Sequence, residues 1–144
     1  MLTSEITFVI TTFNSDNIIN NILKNIPKNS EIIVCENSEN YKLKVQLEEK
    51  YENLKCIVNK NIGYGAANNL GIKFAKNPYV FIVNPDVALN KEKLAQIINI
   101  LEKEKNFAIA APYETSEFEK FKNSEIVTDR EEVKGFAMII NKSN

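Results

Sequence analysis

Four short runs of β-branched and apolar residues recur along this chain, each followed by a stretch with helical spacing. That rhythm limits the fold more than any other feature. The runs are residues 6–11 (ITFVIT), 31–36 (EIIVCE), 55–58 (KCIV) and 79–83 (YVFIV). Continuous apolar strands of this kind are buried on both faces. After the first, Ile18, Ile19, Ile22, Leu23 and Ile26 predict a helix that Ser15 or Asp16 can cap and Pro27 ends. Leu43, Leu47, Tyr51 and Leu54 mark the inner face of a second helix. Ala67, Leu70, Phe74 and Ala75 mark a third, which Asn77-Pro78 stops. Gly71 lies on that same stripe, where it permits close packing of helix on sheet. Asn90 caps a fourth helix with Leu94, Ile97, Ile98 and Leu101 on its face. Residues 107–111 (FAIAA) predict a fifth strand, and an apolar run, 136–140 (FAMII), returns after Gly135. Strands alternating with helices imply an α/β fold, a doubly wound and mostly parallel sheet with helices on both faces.

In such folds ligands sit beyond the carboxyl ends of the strands, near the switch in strand order. Those ends carry Thr12-Phe13-Asn14, Glu36-Asn37, the stretch 59–65 and Asn84-Pro85-Asp86. The glycine turn at Gly63 and Gly65 is neither a dinucleotide fingerprint nor a Walker A loop: only Gly71 follows it, and no Gly-Lys-Ser/Thr does. It serves as a structural turn or as an anion site at a helix start. Asn84-Pro85-Asp86 says more, because proline stiffens the backbone just after a buried strand and so aims the carboxylate. Asp86 there suits either a turn or a divalent cation whose shell substrate phosphates complete.

Composition narrows the chemistry. With 144 residues, one domain over 1–144 is expected. Histidine is absent, which excludes Ser-His-Asp and Cys-His catalysis and His-based metalloproteases. There are three aspartates, Asp16, Asp86 and Asp129. A net charge of -1 gives no basic field for nucleic acid. No run approaches the ~18 apolar residues of a transmembrane segment, and the start of the chain has no basic region before its apolar run. Cys35 and Cys56 sit in strand-like runs, as expected of buried reduced thiols in a cytoplasmic protein. Residues 113–134 lose the periodicity and predict a solvated loop excursion in which Phe118 and Phe121 could cover the site edge.

These pieces together carry a resemblance. FVITTFNS, EIIVCENS, NKNIGYGAANNLGI, YVFIVNPDVAL and VKGFAMIINKS follow one another between residues 8 and 143. In that order they resemble the blocks of family 2 glycosyltransferases with the GT-A fold, especially the rhamnosyltransferase-like branch. The block over 59–86 is the most specific of them. The resemblance implies an inverting transferase of polysaccharide biosynthesis. It would move a sugar from a UDP- or dTDP-sugar to a saccharide or lipid-linked acceptor, with Mg²⁺ or Mn²⁺ on the diphosphate. It would work in the cytoplasm or at the inner face of the membrane.

By the same resemblance, Asp86 would ligate the metal, and Asn84 replaces the first aspartate of the family's D-x-D motif. Glu36 stands where the family has an aspartate that contacts base or ribose. Thr12 and Asn14 would line the base pocket. Asn61, Gly63, Gly65, Asn68 and Asn69 would flank nucleotide and sugar. The family's general base follows the G-x-x-M strand in an acidic segment that this sequence does not contain. Asp129 and Glu131-Glu132 precede Gly135 and do not match it. The chain is therefore expected to be part of a longer enzyme, or else a nucleotide-sugar binding module without transferase activity.

Overall fold

The computed structural model describes residues 3–104, 106–112, 135 and 137–143. The predicted excursion at 113–134, with Phe118, Phe121, Asp129 and Glu131-Glu132, lies outside the described residues. The elements run β1 (Ile6–Thr12), α1 (Ile19–Leu23), β2 (Glu31–Glu36), α2 (Tyr41–Lys50), β3 (Leu54–Val58), α3 (Tyr64–Phe74), β4 (Tyr79–Val83), α4 (Lys91–Lys103), β5 (Ile109–Ala110) and β6 (Ala137–Asn141).

All six strands join one sheet in the order β3-β2-β1-β4-β6-β5. The first four are parallel; β6 is inserted antiparallel between β4 and β5. Period-2 alternation sorts the side chains between two faces. Ile6, Phe8, Ile10, Ile32, Val34, Phe81 and Val83 pack with α1, α2 and α4. Val9, Ile33, Cys35, Val80 and Ile82 pack against α3 on the other face. Helices thus cover both faces, as the burial of β1 over its whole length requires.

Contact between α3 and the sheet is unusually close. Its buried stripe is Ala67, Asn68, Gly71 and Ala75, small residues apart from the asparagine. A Cβ at Gly71 would lie 2.3 Å from Val9 Cγ1 and 3.2 Å from Cys35 Sγ. Ala67, Gly71 and Ala75 lie on the stripe as predicted, Asn68 joins them, and Phe74 turns off it. Phe74 is 43% exposed, and the Lys55 ammonium sits 4.4 Å from its ring centroid. A large ring on the inner stripe would hold the helix off the sheet.

Two further differences have local causes. Helix α1 is only five residues long and has no side-chain cap. The Ser15 hydroxyl bonds back to Phe13, while the Asp16 carboxylate accepts from Asn40 Nδ2. The helix begins after Ile18, which takes the cap position, so both side chains lie upstream of it, and the Ser15 carbonyl receives the N–H groups of Ile18 and Ile19 instead. Strand β5 covers two residues rather than five; among the described residues β6 alone flanks it, while Phe107 stacks on Tyr79. Asn90 caps α4 as predicted, accepting from Glu92 and Lys93 N–H. At the opposite edge, α2 shields β3: Glu48 accepts the outward N–H of Cys56 and Lys44 donates to its carbonyl. Filling those edge groups guards against strand addition.

Candidate nucleotide-sugar and metal site

Strand order reverses between β1 and β4, so the crevice beyond their carboxyl ends is the expected ligand position. Four segments border this edge of the sheet. Beyond β1, Thr12 is fully buried and Asn14 is exposed with φ of 50°, a left-handed conformation that asparagine tolerates. Its N–H donates to Ser38 Oγ at 3.2 Å, tying the first strand end to the second.

Beyond β2, Glu36 is fully buried and its carboxylate is committed locally. Oε1 accepts from the Ser38 N–H at 2.9 Å and from the Ser38 hydroxyl. Oε2 accepts from the Asn40 N–H at 2.7 Å. The extra methylene relative to aspartate lets the carboxylate fold back and close the loop 37–40. The loop in turn presents its own side chains at this edge of the sheet. Asn37, which the sequence reading did not single out, is one of them. It is 3% exposed, and its Nδ2 donates to the Gly63 carbonyl at 3.3 Å.

Two buried polar atoms at this edge have no hydrogen-bond partner among the described residues: Thr12 Oγ1 and Asn37 Oδ1. An unsatisfied buried group costs about 1–3 kcal/mol.

Beyond β3, Asn61 Oδ1 accepts from Gly63 N–H at 3.1 Å, an Asx turn. Gly63 then adopts φ of 85°, where a side chain would be strained, and opens α3 with no side-chain cap. Backbone N–H groups of the first helical turn thus face outward, an arrangement suited to phosphate oxygens. Gly65 is exposed, has ordinary φ and has nothing within 4 Å of a Cβ position, so the fold itself does not demand glycine there. Asn69 is exposed on the same helix, whereas Asn68 turns inward and accepts from Thr11 Oγ1 at 2.6 Å.

Beyond β4, Asn84-Pro85-Asp86-Val87 form a turn closed by Val87 N–H to the Asn84 carbonyl at 3.2 Å. Proline takes its preferred second position and Asp86 the third, exposed. Asp86 also borders a half-open cavity of about 370 Å³ whose other wall is Ile18, Asn21, Lys24 and Asn25 of the α1 region. The Tyr64 hydroxyl, on the first residue of α3, lies 2.6 Å from Asn84 Oδ1. The glycine turn and the aspartate turn are therefore neighbours in space.

The chemistry of the donor set can be tested against a metal. Among the described residues no group of three or more carboxylate, cysteine or histidine side chains could hold an ion. Asp16 is engaged by Asn40, which leaves Asp86 as the one aspartate presented at this edge among the described residues. That set does not suit a resident metal. It fits a hard cation bound through one carboxylate and shared with substrate phosphates, the usual arrangement for Mg²⁺.

Comparison with known proteins agrees with this geometry. The family model described as glycosyl transferase family 2 matches residues 7–142. The chain belongs to glycosyl transferase family 2. Among curated proteins, this family member is 26% identical over 113 residues to the low-salt glycan biosynthesis hexosyltransferase Agl10 of Haloferax volcanii. That match covers 75% of this chain and 36% of Agl10. Among solved structures it is similar to S. aureus TarS 1–349, with a TM-score of 0.71 at 21% identity over 96% of this chain and 47% of that one. TarS has also been solved with UDP-GlcNAc. The mannosyltransferase PcManGT of Pyrobaculum calidifontis, in complex with GDP-Man and Mn²⁺, gives a TM-score of 0.72 at 15% identity, covering 96% and 45%. At these identities the structural likeness shows the fold, which is GT-A. The family 2 chain spans about a third of its curated relative and under half of these solved chains. No helix among the described residues is long and apolar enough to cross a membrane.

Proposed function

We propose that this chain is the donor-binding part of an inverting glycosyltransferase. It holds a UDP- or dTDP-sugar, with Mg²⁺ or Mn²⁺ shared between Asp86 and the diphosphate. The sugar goes to a saccharide or lipid-linked acceptor. One observation carries the reading: the turn presenting Asp86 sits beside the uncapped start of α3, joined to it through Tyr64 and Asn84. A carboxylate and outward-facing amides side by side complement a metal–diphosphate.

In this reading the amides of the α3 start and Gly63 bind phosphate oxygens, and Asp86 supplies the protein's carboxylate to the cation. When bound, that cation neutralises charge on the departing diphosphate. With asparagine at position 84 the site carries one carboxylate fewer than a D-x-D pair. Thr12, Asn14 and Asn37 meet base and ribose, and Glu36 positions the loop that carries Asn37. Asn61, Gly65 and Asn69 flank the sugar side, while Asn68 holds α3 on β1. The general base is assigned to no described residue.

Thermal unfolding with UDP, dTDP and GDP, each with and without Mn²⁺, tests this. A nucleotide at 100 times its dissociation constant adds about 2.7 kcal/mol. For a chain of this size that is roughly 8–10 °C. Stabilisation by UDP or dTDP that grows with Mn²⁺ is expected. Equal stabilisation by GDP would remove the base assignment, and no shift with any nucleotide would remove the donor site altogether.

A further inference from the structure

Tyr64 does something that neither packing nor helix formation explains. Its ring is 43% exposed, so it is no core residue. Yet its hydroxyl lies 2.6 Å from the Asn84 side chain and 2.6 Å from the Gly135 carbonyl, partners 20 and 71 residues away. A phenol has one hydrogen to give. Turning the Asn84 amide end for end lets its NH₂ donate to the phenol while the phenol donates to Gly135, so both contacts are satisfied. The ring also lies against Gly135: Tyr64 Cε1 is 3.9 Å from where a Cβ would stand. Asn84 opens the turn that carries Asp86. Gly135 lies two residues before β6, whose first residue, Ala137, pairs with Val83 at the end of β4. One hydroxyl therefore ties together the glycine turn, the aspartate turn and the entry of the antiparallel strand.

We infer that Tyr64 is a positioning residue for the metal-bearing turn: through Asn84 it sets where Asp86 is held, and through Gly135 it links that placement to the entry of β6. The inference rests on the donor-site reading above. It assigns the Tyr64 side chain no contact with substrate. A role confined to general stability would weaken every binding event alike. A positioning role acts on the metal-dependent part alone.

The test is Tyr64→Phe, which removes the hydroxyl and keeps the ring. Two measurements separate this inference from the reading it rests on. The first is amide hydrogen exchange without any ligand. Loss of one side-chain hydrogen bond should speed local opening about fivefold, at the amides of Asn84, Asp86 and Val87 and at the start of β6, with the amides of β1 and β2 unchanged. Unchanged exchange at Asn84, Asp86 and Val87 overturns the latch, whatever the protein binds. The second is UDP titration. Tyr64→Phe should weaken UDP binding about fivefold in saturating Mn²⁺ and leave UDP binding without metal unaltered. Asn84→Ala should do the same, and the double variant should be no worse than either single one. Equal losses with and without Mn²⁺, or additive losses in the double variant, overturn the positioning role. A wild-type chain that binds no nucleotide overturns the donor site and the metal half of this inference with it.

Discussion

Replacing Gly71 by alanine adds one methyl group where α3 meets the sheet, and the structure sets the cost. The new carbon would lie 2.3 Å from Val9 Cγ1, with Val9 Cγ2 and Cys35 Sγ each at 3.2 Å. Comfortable carbon–carbon contact is about 3.5–4.0 Å, so something must move by more than 1 Å. Val9 is fully buried and β-branched, with few rotamers to escape into. The helix has to lift from the sheet. Overpacking of this kind costs about 1–3 kcal/mol, and alanine's better helix propensity returns about 1. A clash this deep belongs at the upper end, so the net loss is about 1–2 kcal/mol. Urea unfolding followed by far-ultraviolet circular dichroism should show the midpoint falling by roughly 0.5–1 M. Gly65→Ala is the control, since nothing lies within 4 Å of its Cβ position; it should leave the midpoint unchanged or slightly raised. Val9→Ala combined with Gly71→Ala should lose less than the sum of the two, because the added methyl occupies the space that valine vacates. A Gly71→Ala chain as stable as the wild type would refute the close seating of α3 on β1.

Two other perturbations probe the strand ends and the core. Glu36→Gln is isosteric but leaves one acceptor oxygen for the donors of Ser38 and Asn40, so stability should fall by about 2 kcal/mol in the same urea assay; a neutral variant would show that the buried carboxylate does not hold the loop. Burial pushes the Cys35 thiol up to about 11, against the opposing pull of the Gly71 N–H, and burial raises Cys56 to about 12. Because both are raised above their ordinary 9.0, their contribution to stability is complete below pH 9 and is lost as the pH climbs through 11 to 12. Native protein at pH 8 should resist thiol reagents until urea unfolds it, and rapid labelling of the folded chain would contradict this.

Much of the fold was legible because its strands are continuous β-branched runs. Residues 6–11, 31–36 and 79–83 could hardly be anything but buried strands, and a parallel arrangement then brings their polar ends to one edge. Gly71 could be assigned to close packing for the same reason: a residue without a side chain on an inner stripe signals approach. What escaped the sequence was decided by competition or by distance. Ser15 and Asp16 are good capping residues, yet α1 begins after Ile18, so both lie upstream of the cap position. Phe74 has the right spacing for an inner face, but the small residues Ala67, Gly71 and Ala75 of that same stripe seat the helix so closely that the ring is left at the surface. Hydrophobic periodicity carries no strand direction, so the antiparallel insertion of β6 was invisible in the run at 136–140. The site followed the same division. The resemblance put Glu36 in the pocket, and only the structure shows its carboxylate folded back on Ser38 and Asn40. Asn37 is legible in retrospect as the first polar residue after a buried strand. Tyr64 was not, since its partner Gly135 is 71 residues away.

We propose that the edge formed by the ends of β1, β2, β3 and β4 binds a nucleotide diphosphate with a cation held by Asp86. Calorimetric titration of UDP into the wild-type chain and into Asp86→Ala, each with and without Mn²⁺, tests it most directly. The wild type should bind more tightly with Mn²⁺ than without. Asp86→Ala should lose that gain, keep its metal-free affinity and unfold at the wild-type urea midpoint, because an exposed turn carboxylate carries little of the stability. A metal-dependent gain that survives the loss of Asp86 would contradict the account.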